Sequence, residues 1–275
     1  MFDITLLMLL ISPVFFVCIL IEYCRYRQHY HLWDSILNTL LALAHQFADA
    51  LALLLLLPLF SWLHQYRLFD FELSPLTLLC GFILQDFLYY WFHRACHYIH
   101  WFWSAHVVHH SSTYMNFSTA FRQSLLYPVV GMWLFWLPLV LLGFTAELVF
   151  TIVSINLAYQ FFIHTQTLGK LWWLESIFNT PTHHRIHHAS NPAYIDKNFA
   201  GVFIIWDKLF GTFASQQDDI EIQYGIRGSA PEPHFVAVNF AQWCHMLKQA
   251  RQAKGIIGKC QALFGYPTHL PERKP

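Results

Sequence analysis

Apolar runs long enough to cross a bilayer, with almost no charge inside them, constrain this chain more than any other feature. The first, "LLMLLISPVFFVCILI", lies within residues 4–22, and further runs cover 36–60, 75–92, 125–142 and 146–163. A helix needs roughly 20 apolar residues to span the hydrocarbon layer. No water reaches that layer, so each segment must satisfy its own backbone polar groups, which a helix does. The expected fold class is all-α, a multi-span membrane helical bundle. Only "GFTA" separates the last two runs, which predicts a tight helical hairpin, and Pro128 and Pro138 are expected to kink its first arm. Composition agrees: 12% of residues are charged, against about a quarter in a soluble domain.

Five spans put residues 23–35, 93–124 and 164–275 on one face. Of the sixteen Lys and Arg residues, fifteen fall there and only Arg67 lies opposite. The positive-inside rule makes that face cytoplasmic. Before the first run the only charged side chain is Asp3, and Arg25 and Arg27 follow it. That order suits a retained integral membrane helix rather than a cleaved signal. The expected organisation is transmembrane helices over 1–74, a domain over 75–214 that holds the clustered histidines, and a C-terminal cytoplasmic tail over 215–275. Within the tail, "GSAPEPH" (228–234) reads as a loop. "FAQWCHMLKQARQAKGIIGK" (240–259) reads as an amphipathic helix, either lying on the membrane surface or packed as an ordinary terminal helix. A net charge of zero gives no support to nucleic-acid binding. The six cysteines contain no C-x-x-C pair, so neither a zinc finger nor a disulfide framework is suggested.

Eighteen histidines outnumber both the acids and the bases. Neutral imidazole is a good metal ligand and a poor core filler. "HRACH" carries His93 and His97, an i,i+4 pair on one helix face. "HVVHH" carries His106, His109 and His110, with 106 and 110 sharing a face. "HHRIHH" interleaves two such pairs, His183 with His187 and His184 with His188. Adjacent positions point about 100° apart on a helix, so one turn can serve two metals. His164 ends the fifth run on the same side as these clusters. Eight or more imidazoles exceed the four of one tetrahedral site, so two ions are expected in a cytoplasmic cap. His183 is read either as a ligand or as a support behind one. Histidines 29, 31, 45, 64, 100, 234, 245 and 269 stand alone and are read as structural.

Ligating histidines commonly donate their second nitrogen to a carboxylate or carbonyl. Asp86 lies seven residues before His93, within an apolar run, where an acid is a functional candidate by default; its other reading is an ion pair with Arg94. Asp196 and Asp207 flank the third cluster as partners for Arg185 or for ligands, and Asp49 is a partner for His45. The zinc-protease motif H-E-x-x-H is absent, bis-histidine haem needs only two axial ligands, and a transporter should gather ligands at the midplane. What remains is oxygen activation beside the membrane, with a lipid chain entering sideways. A metal-binding or metal-transporting membrane protein without redox activity is the alternative.

"DFLYYWFHRACH", "HVVHHSSTYMNFSTAFRQS", "IHTQTLG" and "NTPTHHRIHHASNPAYIDKNFAGVFIIWDKLFGTF" resemble the fatty acid hydroxylase superfamily, which includes C-5 sterol desaturases and the alkylglycerol monooxygenase branch. The resemblance implies a membrane-embedded non-haem enzyme with two Fe ions, hydroxylating or desaturating a lipid C–H bond with O2. The lipid would be of fatty acyl, sterol or alkyl-glycerol type. It places the family's ligands on His93, His97, His106, His109, His110, His164, His184, His187 and His188. It places the acid before the first box on Asp86, and site-packing residues on Asn198, Phe199, Trp206, Asp207 and Phe210 to Thr212. The electron donor it implies is external, a pterin or a separate redox protein. Tyr98 departs from the alkylglycerol monooxygenase branch, where an acidic residue follows the first box, and the extra hydrophobic spans expected in that branch are not among these residues.

Overall fold

The computed structural model describes residues 4–228 and 234–268, so most of the 228–234 loop and His269 lie outside the described residues. The described chain is helical. It contains no strand, only isolated bridges at Phe178–Phe203 and Ala189–Tyr224. Three long helices lead: α1 (Ile4–Arg25), α2 (Leu32–His64) and α3 (Pro75–Tyr98). Local chemistry fixes the start of α3, where the Ser74 hydroxyl accepts the Thr77 N–H at 3.1 Å and Pro75 opens the first turn. A single extended residue, Ile99, redirects the chain into α4 (His100–His110). Then come α5 (Tyr127–Val130), α6 (Leu137–Leu142), α7 (Ala146–Ile163), α8 (Pro181–His187), α9 (Ile205–Leu209), α10 (Phe235–Gln252) and α11 (Gly255–Phe264).

Among the described residues two helices, α2 and α7, are long and apolar enough to cross a membrane. They meet their surroundings differently. Along α2 the side chains of Leu43, Phe47, Leu54 and Leu55 are exposed, whereas α7 buries Val149, Ile152, Val153 and Asn156. The region expected to span over 125–142 is not one helix. It breaks into α5, a 3-10 turn at Met132–Trp136 and α6. Gly131 takes a left-handed φ of 87° between the first two pieces, and Pro138 starts α6 because it has no N–H for a preceding turn to use. The "GFTA" joint does reverse the chain. Gly143 sits at φ 128° with the Phe69 carbonyl where a Cβ would stand, and the Thr145 hydroxyl caps α7.

The main core joins α3, α4, α5, α6, α7 and α10 through Phe92, Cys96, Ala105, Tyr127, Leu139, Val149 and Met246. The helix expected over 240–259 is also divided: α10 ends at Gln252, and α11 begins after Lys254 at Gly255, whose φ is 66°. α10 packs on α4, burying Trp243 and Met246, so it is an element of the core rather than a free surface helix.

Candidate metal centre

Four segments deliver nine buried imidazoles to one place. His93 and His97 come from the last two turns of α3, and His106, His109 and His110 from α4. His164 follows the end of α7, while His184, His187 and His188 come from α8 and its C-cap. They form two sets. His93, His97, His106, His110 and His187 make set A, and His109, His164, His184 and His188 make set B; the ligand atoms within each set lie within 4.8 Å of one another. The i,i+4 pairs 93/97, 106/110 and 184/188 each stay within one set. Their neighbours His109 and His187 cross to the other, as the helical angle requires. His183 is in neither set. Its Nδ1 accepts the Thr180 N–H at 3.4 Å as part of the α8 cap, and its ring packs edge-on against Phe213. Histidines 29, 31, 45, 64, 100, 234 and 245 join neither set; His45 pairs with Asp49 at 3.3 Å, as the sequence suggests.

Backbone carbonyls orient the rings. His93 Nδ1 lies 2.7 Å from Phe199 O, and His187 Nδ1 3.0 Å from Lys197 O. His109 Nδ1 lies 3.1 Å from Arg122 O, and His164 Nδ1 2.6 Å from Gln160 O. A carbonyl only accepts, so each of these Nδ1 atoms carries the proton and each Nε2 presents a lone pair. Yet His109 Nε2 and His164 Nε2 face each other at 3.0 Å. Two lone pairs at that distance repel unless a cation sits between them. The same spacing recurs from His93 to His106 (2.9 Å), His110 to His187 (3.1 Å) and His164 to His184 (2.9 Å). Burial pushes His106, His109, His110, His184, His187 and His188 well below the ordinary imidazole range, and neighbouring imidazoles add to the effect. Neutral rings are the ligating form, so the donor set fits two metal ions.

The segment 196–203 supplies two of those carbonyls, and two buried acids hold it. Asp86 accepts the Val202 N–H at 2.7 Å, the Phe203 N–H at 3.0 Å, Trp206 Nε1 at 2.9 Å and Asn156 Nδ2 at 2.8 Å. It does not pair with Arg94, which reaches the Tyr90 hydroxyl instead. Gly201 passes so close that a Cβ would stand 2.8 Å from Asp86 Oδ1. Asp207 accepts the Phe199 and Ala200 N–H groups, both at 2.8 Å, and the Thr212 hydroxyl at 2.6 Å. Asn198, left-handed at φ 56°, clamps His183 O and Ala214 through its amide. Asp196 approaches His97 Nδ1 at 3.5 Å and also accepts the Tyr266 hydroxyl at 2.7 Å. These two residues stand at a cleft of about 50 Å³ that reaches His97, His110 and His187 of set A and His188 of set B.

Three supports had no signal among the histidine boxes. Tyr127 places its hydroxyl 2.6 Å from His106 Nδ1. Arg122, almost fully buried, donates to Asp34 at 3.0 Å, Asn38 at 2.8 Å and Val108 O at 3.1 Å, while its own carbonyl holds His109. Buried Glu22 of α1 accepts the Phe117 N–H at 2.8 Å and the Thr165 hydroxyl beside His164. A charge isolated in an apolar context was the available clue for Arg122 and Glu22.

Residues 78–212 match the family model described as fatty acid hydroxylase. The chain belongs to the fatty acid hydroxylase superfamily. All nine clustered imidazoles fall within this hydroxylase domain, as do Asp86, Asn198 and Asp207. The chain is 46% identical over 215 residues to alkylglycerol monooxygenase of Homo sapiens, covering 78% of this chain and 47% of that protein. It is 41% identical over 199 residues to alkylglycerol monooxygenase of Danio rerio, covering 72% and 44%. Ornithine lipid hydroxylase of Rhizobium tropici is 27% identical over 179 residues, covering 65% and 52%. The chain thus spans less than half the length of these two alkylglycerol monooxygenases. No solved structure matches it.

Proposed function

We propose that this chain is a membrane-embedded non-haem diiron oxygenase that hydroxylates an unactivated C–H bond of a lipid, using O2 and an external electron donor. The observation that carries the reading is the pair of adjoining imidazole sets, with His109 and His164 turning lone pairs toward each other at 3.0 Å. Imidazole donors suit iron, zinc, copper or nickel, and the family to which the chain belongs is what favours iron here. The relatives, an alkylglycerol monooxygenase and an ornithine lipid hydroxylase, support a lipid substrate and favour hydroxylation over desaturation.

The irons, when bound, would supply the activation of oxygen and the attack on the C–H bond. The chain's own residues do the rest. His93, His97, His106, His110 and His187 would hold one ion, and His109, His164, His184 and His188 the other. The carbonyls of residues 122, 160, 197 and 199 keep the Nδ1 protons in place, so that Nε2 faces the metals. Asp86 and Asp207 hold the segment that carries two of those carbonyls. Burial of every ligand excludes water from the centre, apart from the cleft beside His97. Spans α2 and α7 would place the centre at the membrane surface. The excess of Lys and Arg beside the histidine segments supports a cytoplasmic face. Electrons would come from a separate partner, a pterin or a redox protein.

Lipid-dependent oxygen consumption in iron-loaded protein tests the reading, with products followed by mass. His109→Ala and His187→Ala should each abolish consumption, and the wild type should add 16 daltons to the lipid. Metal binding without oxygen consumption in the wild type would instead identify a storage or transport protein.

A further inference from the structure

The segment between His164 and α8 carries two tryptophans that the metal centre does not use. Trp172 is 88% exposed and Trp173 71% exposed. Among the described residues, three that are not glycine have positive φ: Trp172 at 50°, Asp196 at 57° and Asn198 at 56°. Asp and Asn tolerate the left-handed region, whereas a bulky side chain there is a true outlier. The other two shape the segment that orients ligands. At Trp172 the strain turns an indole outward, and among the described residues neither indole stacks on another ring. A backbone outlier is a reason to look for function.

The turn beneath these rings is firmly built. Glu175 accepts the Leu171 N–H and the Thr180 hydroxyl, each at 3.2 Å. Arg185 donates to Leu168 O at 2.8 Å and Thr165 O at 3.2 Å. Lys208 Nζ donates to Ser176 O at 2.7 Å, which ties the turn to α9. The exposed Ile205 and Leu209 lie on α9, and Phe210 just after it packs against Trp91 on the outer side of α3. Exposed apolar surface therefore runs from α3 across α9 toward the turn. The turn itself lies nine residues beyond the end of α7, a candidate span. Exposed Lys170 and Lys208 flank it.

We infer that Trp172 and Trp173 form an anchor seated in the headgroup region of the lipid leaflet on the side of the histidine clusters. Indole combines an apolar body with one N–H donor, which is why tryptophan concentrates at that depth, and lysines beside it meet anionic headgroups. Because the turn connects His164 rigidly to His184, this anchor sets how far the ligand cap sits from the lipid. The inference rests on α2 and α7 crossing the bilayer, but not on metal content or on catalysis.

The test compares wild-type protein with Trp172→Phe/Trp173→Phe in phosphatidylcholine nanodiscs, taking the difference in tryptophan fluorescence. Phenylalanine keeps a ring at both positions, and the double variant's helicity and metal content report its folding. Lipids brominated near the headgroup should quench the difference signal at least twofold, while aqueous iodide quenches it little. The opposite pattern, iodide quenching without lipid quenching, would overturn the anchor. Protection from both quenchers that grows with protein concentration would also overturn it, because the face would then belong to a second copy. Lipid quenching of the remaining tryptophans with none in the difference signal leaves the spans standing and removes the anchor alone.

Discussion

Set A and set B use the same donor atom and live in different surroundings. Set A has five imidazoles, one of them (His97) beside the carboxylate of Asp196, and it borders the cleft that Tyr266 overhangs. Set B has four, held between α4, the end of α7 and α8, with His109 and His164 turned to carbonyls; His188 alone of the four lines that cleft, against three of the five in set A. An anionic partner raises the donor strength of an imidazole, and solvent access speeds exchange. The contrast teaches that two chemically equal ions would be held unequally, with A the exchangeable one and B the fixed one.

Removing single ligands is the harshest way to break that contrast. His184→Ala takes one of four imidazoles from set B and should lower oxygen consumption at least 100-fold, with about one metal lost per chain. His97→Ala takes one of five from set A and should retain more metal; elemental analysis that finds equal losses would erase the asymmetry. Acid is the next probe. The buried rings of α4 and α8 are held below their ordinary pKa in the fold. The unfolded chain therefore binds more protons as pH falls below about 6.5. Stability of the metal-free protein should be fully present above that pH and decline below it. Metal should leave in the same window, set A first through its cleft, as followed by a chelator dye.

Asp86→Ala strands four buried donors and should cost roughly 3 kcal/mol of stability. It should also weaken set A more than set B, because His93 and His187 lean on the segment Asp86 holds; thermal unfolding and metal analysis of the variant check both. Tyr127→Phe removes the hydroxyl from His106 and should weaken metal at set A about tenfold, measured by competition with a chelator. Asp196→Asn keeps the shape and removes the charge beside His97. Metal release from set A should quicken a few fold and release from set B should not change; faster release from B would show that the carboxylate serves both.

The two buried imidazole sets were legible because imidazoles at i,i+4 announce a shared helix face, and three such clusters are hard to place in a membrane protein otherwise. The division between sets also followed from helical angle, as His109 and His187 show. The partners of the ligands were not legible. Carbonyls at residues 122, 160, 197 and 199 belong to any sequence, and only the chain path brings them to Nδ1. Tyr127 is 21 residues from His106, with nothing in its apolar neighbours to mark it. Hydropathy read 125–142 as one span because it counts apolar side chains and is blind to the backbone at Gly131. It likewise joined α10 to α11 across the break at Gly255. His183 shows the limit from the other side: residue type and spacing left it open as a ligand or a support behind one, and only the chain path shows its ring in the cap of α8.

Neighbouring residues of α4 and α8 serve opposite sets: His109 and His110, His187 and His188. Each of these short helices is therefore a yoke across two loads. An ion that settles in one set fixes the rotation and height of both helices, and so delivers the ligands of the other already aligned. Metal held at set B should then tighten the hold of set A, so the metal-free chain should fill B before A, and a His184→Ala chain should bind metal at set A more weakly than the wild type does.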